Sequence, residues 1–249
     1  SNREISMYKN IFLSIFAICS MSFYVNADDH SSDIKSDGSI GEFNYFSVTD
    51  PVEFVSALTS FSDTKCANKW REASNGSYSL WSLRGSSYSH FVLVSYESWD
   101  AMDKGTKVLS SCPAFANMVK SFDDSTNSER SWNWVTENAL SGRTWQDNTV
   151  FSKFNFNVKE GMAGDYAAAW KKLMKAQMDN VPGSFGINTV VYGNGYASHM
   201  VYLGANSTEE LTSSFKKVTS TDDFKEFFST VKDIRSNINT EMVTLVKAF

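Results

Sequence analysis

Residues 87–98 read SYSHFVLVSYES and residues 196–207 read YASHMVYLGANS. In each, a Ser-His pair opens a strand-like run with apolar side chains on both faces. Phe91 and Leu93 point one way and Val92 and Val94 the other; Met200 and Tyr202 likewise oppose Val201 and Leu203. A strand of this kind must be covered on both sides. Superposing His90 on His199 at constant offset also brings Ser89 onto Ser198, Val92 onto Val201, Ser98 onto Ser207, Lys107 onto Lys216, Ser111 onto Ser220 and Phe115 onto Phe224.

The flanking sequence extends the parallel. In the first half, Phe43 to Val48 predicts a strand, and Thr49-Asp50-Pro51 a helix start with Asp50 capping and Pro51 in the first turn. The helix that follows carries Phe54, Val55, Leu58 and Phe61 on one face. Tyr78 to Leu83 and Ser89 to Tyr96 predict two strands about the turn Arg84-Gly85-Ser86-Ser87, and a helical stretch runs from Trp99 to about Phe122 with a break at Ser111 to Phe115. A closing strand is expected near Trp132 to Thr136.

The second half has a strand from Phe151 to Val158, then Tyr166, Ala169, Trp170, Leu173 and Met174 at helical spacing up to Pro182-Gly183. Phe185 to Tyr192 and His199 to Leu203 flank the hairpin signal Asn194-Gly195. Ser207-Thr208-Glu209-Glu210 opens a capped helix that breaks at Ser220 to Phe224, and Met242 to Val246 closes the chain as a strand. Each half thus reads β-α-β-β-α-β. Two helices per half cover one sheet face, and the natural cover for the other is the sheet of the other half.

A unit of this order, whose third strand runs into a Ser98-Trp99-Asp100 or Ser207-Thr208-Glu209 helix start followed by a Ser-x-x-x-Phe break, resembles the dimeric α/β-barrel superfamily. Within it, the chain is similar to antibiotic biosynthesis monooxygenase-like proteins. The resemblance implies an α+β fold: two tandem ferredoxin-like repeats, residues 42–137 and 150–249, joined by a linker at 138–149 and packed sheet to sheet as a pseudo-dimeric α/β barrel. It also implies a small-molecule cavity in many members. The haem-degrading branch would place an iron-ligating histidine just after the Ser-x-x-x-Phe break. Here Phe115 to Val119 and Phe224 to Phe228 contain no imidazole, so haem is not carried over and no cofactor is expected.

Of the 249 residues, 42% are hydrophobic and 14% aromatic, enough for a substantial core. A formal net charge of -5 with no block of Lys and Arg argues against a nucleic-acid partner. From Met7, Lys9 precedes the apolar run Ile11 to Cys19, and Val25-Asn26-Ala27 offers a signal-peptidase site, so residues 1–27 are expected to hold upstream residues and a signal peptide. That run is too short for a membrane span, and the mature protein is expected to be exported to the periplasm or the extracellular space. Residues 28–41, almost devoid of apolar side chains, predict a flexible acidic lead.

Export bears on the cysteines. Cys66 and Cys112 would either pair in an oxidising compartment or stay as two buried thiols. A bond would close a loop of about 46 residues and contribute roughly 3 to 4 kcal/mol.

Candidate site residues are few. His90 and His199 occupy equivalent places, either as proton shuttles or as hairpin caps bonding the backbone. Neither has an obvious second metal ligand beside it. His30 would join a new amino terminus in a square-planar Cu(II) or Ni(II) site only if cleavage falls after Ala27, and chance placement is the better reading. Trp81, Tyr96 and Tyr202 are candidates to line an apolar cavity, although most aromatic residues should simply be core. The acidic pairs Glu209-Glu210 and Asp222-Asp223 belong to helix first turns. Asn75-Gly76-Ser77 and Asn206-Ser207-Thr208 match the glycosylation sequon without deciding the source.

These features favour an exported barrel that holds a small apolar or aromatic molecule without catalysis. The alternatives are a cofactor-independent monooxygenase-like enzyme using His90 or His199, and a non-catalytic interaction module. The oligomeric state is not legible.

Overall fold

Helix starts in this chain are fixed by side-chain acceptors. In the computed structural model, which describes residues 34–193 and 195–249, Asp50 accepts from the backbone N–H of Val52 and Glu53 at 3.0 Å, and Pro51 opens α1 (Pro51–Ser62). Thr64 caps α2 (Lys65–Ser74), Ser98 caps α3 (Trp99–Leu109), and the Cys112 sulfur accepts from Phe115 at the start of α4 (Pro113–Ser125). Further on, α5 (Ala163–Ala176) has no side-chain cap, while Ser207 and Thr221 cap α6 (Thr208–Thr219) and α7 (Asp222–Val231).

The strands are β1 (Ile40–Val48), β2 (Ser77–Arg84), β3 (His90–Tyr96), β4 (Thr126–Gly142), β5 (Val150–Val158), β6 (Phe185–Tyr192), β7 (His199–Ala205) and β8 (Arg235–Ala248). All pairings are antiparallel and close into a barrel in the order β1-β3-β2-β8-β5-β7-β6-β4. Residues 40–142 contribute β4-β1-β3-β2 and residues 150–248 contribute β8-β5-β7-β6, the same order twice. The β2–β8 and β4–β6 seams join the two sets, so every strand has a partner on each side and the barrel has no free sheet edge.

Alternation along the strands sorts the core into three clusters. On the outer faces, Val92 packs with Phe54, Leu58 and Trp70 under the first helices, and Val201 and Leu203 pack with Tyr166, Trp170 and Val231 under the second set. Phe91 and Met200 turn inward, joined by the partly buried Leu93 and Tyr202. The double coverage expected of the third strands is therefore met by helices on one side and the barrel interior on the other. Each large apolar side chain buried this way contributes roughly 1.5 to 3 kcal/mol.

Three sequence expectations need correction. The stretch preceding β2 contains a second helix, α2, which carries only Ala67, Trp70 and Ser74 on its buried face and so gave little apolar periodicity. The closing strand of the first half is much longer than Trp132 to Thr136. β4 continues to Gly142 because its C-terminal part pairs with β6, which leaves the connection between halves at 143–149 instead of 138–149. Finally, the described part of the polar lead, residues 34–41, is packed onto the barrel: Ile34, 2% exposed, enters the core of the second half, and Lys35 bridges to Ser141. A polar strip is held here by a distant strand's backbone groups, which no local pattern reports. The predicted signal peptide and His30 lie outside the described residues, as does Asn194 of the hairpin signal.

Cys66 on α2 and Cys112 at the α4 cap form a disulfide across a sequence separation of 46 residues. Of the two alternatives left by the sequence, the paired one is present. No helix of the described residues is long and apolar enough to cross a membrane.

Candidate functional site

The barrel is hollow at one end. At the other, Tyr88, Trp132 and Tyr196 fill the lumen around Tyr45, whose ring stacks on Trp132 with centroids 4.9 Å apart. At the open end lies a cavity of about 510 Å³. Its apolar wall is made by Trp81, Phe91, Leu93, Phe151, Met200 and Tyr202, with Trp81 and Phe151 meeting edge to face at 5.4 Å. Its polar side is the β4–β6 seam, where Asn138 and Asn188 stand opposite each other, Asn138 donating to the Asn188 Oδ1 at 3.1 Å. Trp145, from the connection between the halves, borders the mouth 6.3 Å from Trp81. Asp37 and Ser39, in the described part of the lead, border it as well.

Lys153 also lines the cavity, and it is the least expected residue of the interior. It projects from β5 into the lumen with its side chain only 3% exposed. Its three ammonium protons have three acceptors: Tyr45 Oη at 2.7 Å, Glu241 Oε2 at 2.7 Å and Asn155 Oδ1 at 2.9 Å. Trp134, Tyr45 and Phe43 surround the same nitrogen with ring centroids at 4.8, 5.4 and 5.7 Å. The cluster continues through Asn155 to Asn239 at 2.6 Å and Asn239 to Glu241 at 3.1 Å. Burial pulls the Lys153 ammonium below its ordinary value, opposed by Glu241. Burial pushes the Glu241 carboxyl up, but the adjoining ammonium and hydrogen bonds outweigh it and hold this group below the usual range. Tyr45 is raised well above the ordinary phenol range by burial and by the Glu241 charge.

The pairing registers give this arrangement a pattern. Phe43 faces Trp134 and Tyr45 faces Trp132 across β1–β4, while Lys153 faces Glu241 and Asn155 faces Asn239 across β5–β8. At matching places in the two sets of strands, one half supplies four aromatic side chains and the other an ion pair with two amides.

The histidines singled out by the sequence are elsewhere. In the first half, Ser89 N–H donates to the Phe46 carbonyl, its hydroxyl accepts from Val48 N–H at 2.9 Å, and His90 Nδ1 meets that hydroxyl at 2.9 Å. In the second, Ser198 does the same to Phe156 and Val158, with His199 Nδ1 at 2.8 Å. Both Ser-His pairs thus tie the start of a third strand to the end of a first strand. His199 turns to the helix side, its ring 6.2 Å from that of Tyr166, and His90 shares the outer face with Val92 and Val94 by strand alternation. Burial lowers both, His199 to about 4. The two are not brought together, and neither lines the cavity.

Of the aromatic candidates, Trp81 and Tyr202 form the cavity wall, and Trp81 Nε1 donates to Ser79 at 2.7 Å. Burial, with Asp37 nearby, raises the Tyr202 hydroxyl. Tyr96 packs outside the barrel on Trp70 and touches only the rim; burial raises it to about 12. Lys153, Glu241, Asn138 and Asn188 were missed by sequence reasoning. The signal was there for Lys153: if both faces of a strand are covered, Lys153 and Asn155 must be as interior as Phe154 and Phe156 are on the other face.

Among the described residues, no group of three His, Cys, Asp or Glu side chains is placed to hold a metal ion, and the cavity lining offers neither imidazole nor thiolate to a haem iron.

The chain has the dimeric α/β-barrel fold. The similar solved structures include a "putative monooxygenase" from Fusobacterium nucleatum, with a TM-score of 0.60 at 13% identity over 85% of this chain and 94% of that one. A "putative monooxygenase" from Lactobacillus acidophilus gives 0.58 at 13% identity over 85% and 95%, and an anthrone oxidase-like protein 0.54 at 12% over 87% and 95%. No family profile matches the sequence, and no curated protein does.

Proposed function

We propose that the protein binds a small, largely aromatic molecule in the open end of its barrel. The observation that carries this reading is the cavity of about 510 Å³ with an aromatic wall and a short polar seam, the size and composition of small-molecule sites. Fluorescence of Trp81 and Trp145 in the full chain, titrated with 2-naphthol, tests it. Saturable quenching that Leu93→Trp abolishes by filling the cavity is the expected result; no saturable response to planar aromatic probes would refute it.

A second reading is cofactor-independent oxygenation of the bound molecule. Two fold neighbours carry the name monooxygenase, and the buried Tyr45–Lys153–Glu241 network adjoins the cavity as a route for protons. His90 and His199, on the outer face, are poorly placed for that work. Oxygen uptake with a phenolic ligand, lost in Glu241→Gln but retained in His199→Ala, would favour this reading over binding alone.

We further infer that the barrel derives from a duplicated unit. The repeated strand order and the twin Ser-His ties support it. Export is part of the same reading, supported by the Cys66–Cys112 bond, since such bonds persist in oxidising compartments. Cell fractionation that finds the protein in the cytoplasm would count against export.

A further inference from the structure

Resting on the binding reading above, the hydrogen-bond inventory of the β4–β6 seam goes further and defines what part of a ligand the cavity reads. Asn138 spends both amide protons, on the Leu140 carbonyl at 3.4 Å and on Asn188 Oδ1 at 3.1 Å. Asn188 spends one of its two, on Thr136 Oγ1 at 3.2 Å, and Thr136 passes its own proton to the Gly41 carbonyl at 3.2 Å. An amide has two protons and two acceptor lone pairs. Among the described residues, Asn188, which lines the cavity, therefore keeps one N–H and one lone pair unspent.

The charged groups near the cavity favour a neutral ligand. The Lys153 protons are all taken, and Glu241 balances its charge. The Arg143 guanidinium turns three of its five N–H donors to the carbonyls of Val181, Gly183 and Met178. Asp37 and Glu97 at the mouth add negative charge. An anion entering this space would lose its hydration and meet the carboxylates of Asp37 and Glu97 against the single guanidinium of Arg143.

We propose that Asn188 is the specificity-determining residue of the cavity and that the ligand is an uncharged aromatic molecule carrying an acceptor beside a donor on one edge, as in a carboxamide or lactam. The ring system lies against Trp81 and Phe151, and the edge meets the free N–H and lone pair of Asn188. Asn138 holds the Asn188 amide in the orientation that presents both.

Three ring-matched probes, 2-naphthamide, naphthalene and 2-naphthoate, test this by tryptophan quenching in the full chain. 2-Naphthamide should bind at least about tenfold tighter than either of the others, the scale of one or two net hydrogen bonds. Asn188→Leu should erase the advantage over naphthalene while leaving naphthalene binding in place, which also shows that the variant is folded. Asn188→Asp, of the same shape but lacking the donor, should lose it too and serves if the leucine variant does not fold. Naphthoate binding as tightly as the amide would overturn the uncharged ligand. An amide advantage that survives in both variants, or is absent while naphthalene binds, would overturn the role of Asn188 and leave the binding reading intact. If none of the three binds saturably, the binding reading falls and this inference with it.

Discussion

The Lys153 ammonium lies 4.8 Å from the centroid of the Trp134 ring, and the two residues come from different halves of the chain. Trp134 faces Phe43 in the first sheet just as Glu241 faces Lys153 in the second. The interior is thus made of two unlike linings that fit each other. The second half supplies the cation together with its counter-ion Glu241, and association of the halves adds the aromatic faces and the Tyr45 hydroxyl around it.

Breaking that pair from one side should be costly. Lys153→Met leaves Glu241 buried without its cation and should lower unfolding free energy by about 3 to 5 kcal/mol. The double variant Lys153→Met, Glu241→Leu should recover most of the loss. Urea unfolding of the four proteins of the cycle measures this, and a double variant no more stable than Lys153→Met would show that the partner charge is not the cause.

The disulfide ties α2 to the turn before α4. Thiol titration of the unreduced, unfolded protein should find neither Cys66 nor Cys112 reactive. The Cys66→Ser, Cys112→Ser variant should be less stable by roughly 3 to 4 kcal/mol on the chain-entropy account.

Acid should destabilise the second half through His199. Its folded value of about 4 lies below the ordinary 6.5, so the unfolded chain takes up the proton first. The stability tied to the neutral ring is fully present above about pH 6.5 and is lost as pH falls towards 4, by an amount on the order of 3 kcal/mol. Tyr166, beside the ring, is itself bonded by Arg235 at 3.0 Å. Carboxylates titrate in the same range, so the informative quantity is the difference between the wild type and His199→Gln. The two stability curves should converge as the pH is lowered, and parallel curves would refute the assignment.

The twin serine ties should carry comparable weight. Ser89→Ala and Ser198→Ala each remove the acceptor of a backbone N–H, from Val48 and Val158 respectively. Each should cost about 1 kcal/mol by chemical denaturation, near the net value of a typical hydrogen bond.

Much of the candidate site escaped the sequence for a definite reason. Trp81 and Tyr202 were legible because aromatic residues on covered strands must line something. Lys153 and Glu241 were passed over, because a charged residue in a strand ordinarily marks the solvent face. His90 and His199 drew attention by their rarity and their repetition, yet the repetition records a shared strand-end tie and not a shared chemistry.

By itself the sequence determined what is set by local period and local capping. The third strands are greasy on both faces, helices begin at Asp50, Ser98 and Ser207, and the element order runs through two matching halves. Only the tertiary structure decided what the inner faces meet. Lys153 finds Tyr45 at a separation of 108 residues and Glu241 at 88, and Asn188 finds Asn138 at 50. Such partners are chosen by barrel closure and strand register, and a period of two along one strand says which side a residue takes but not what stands across the lumen.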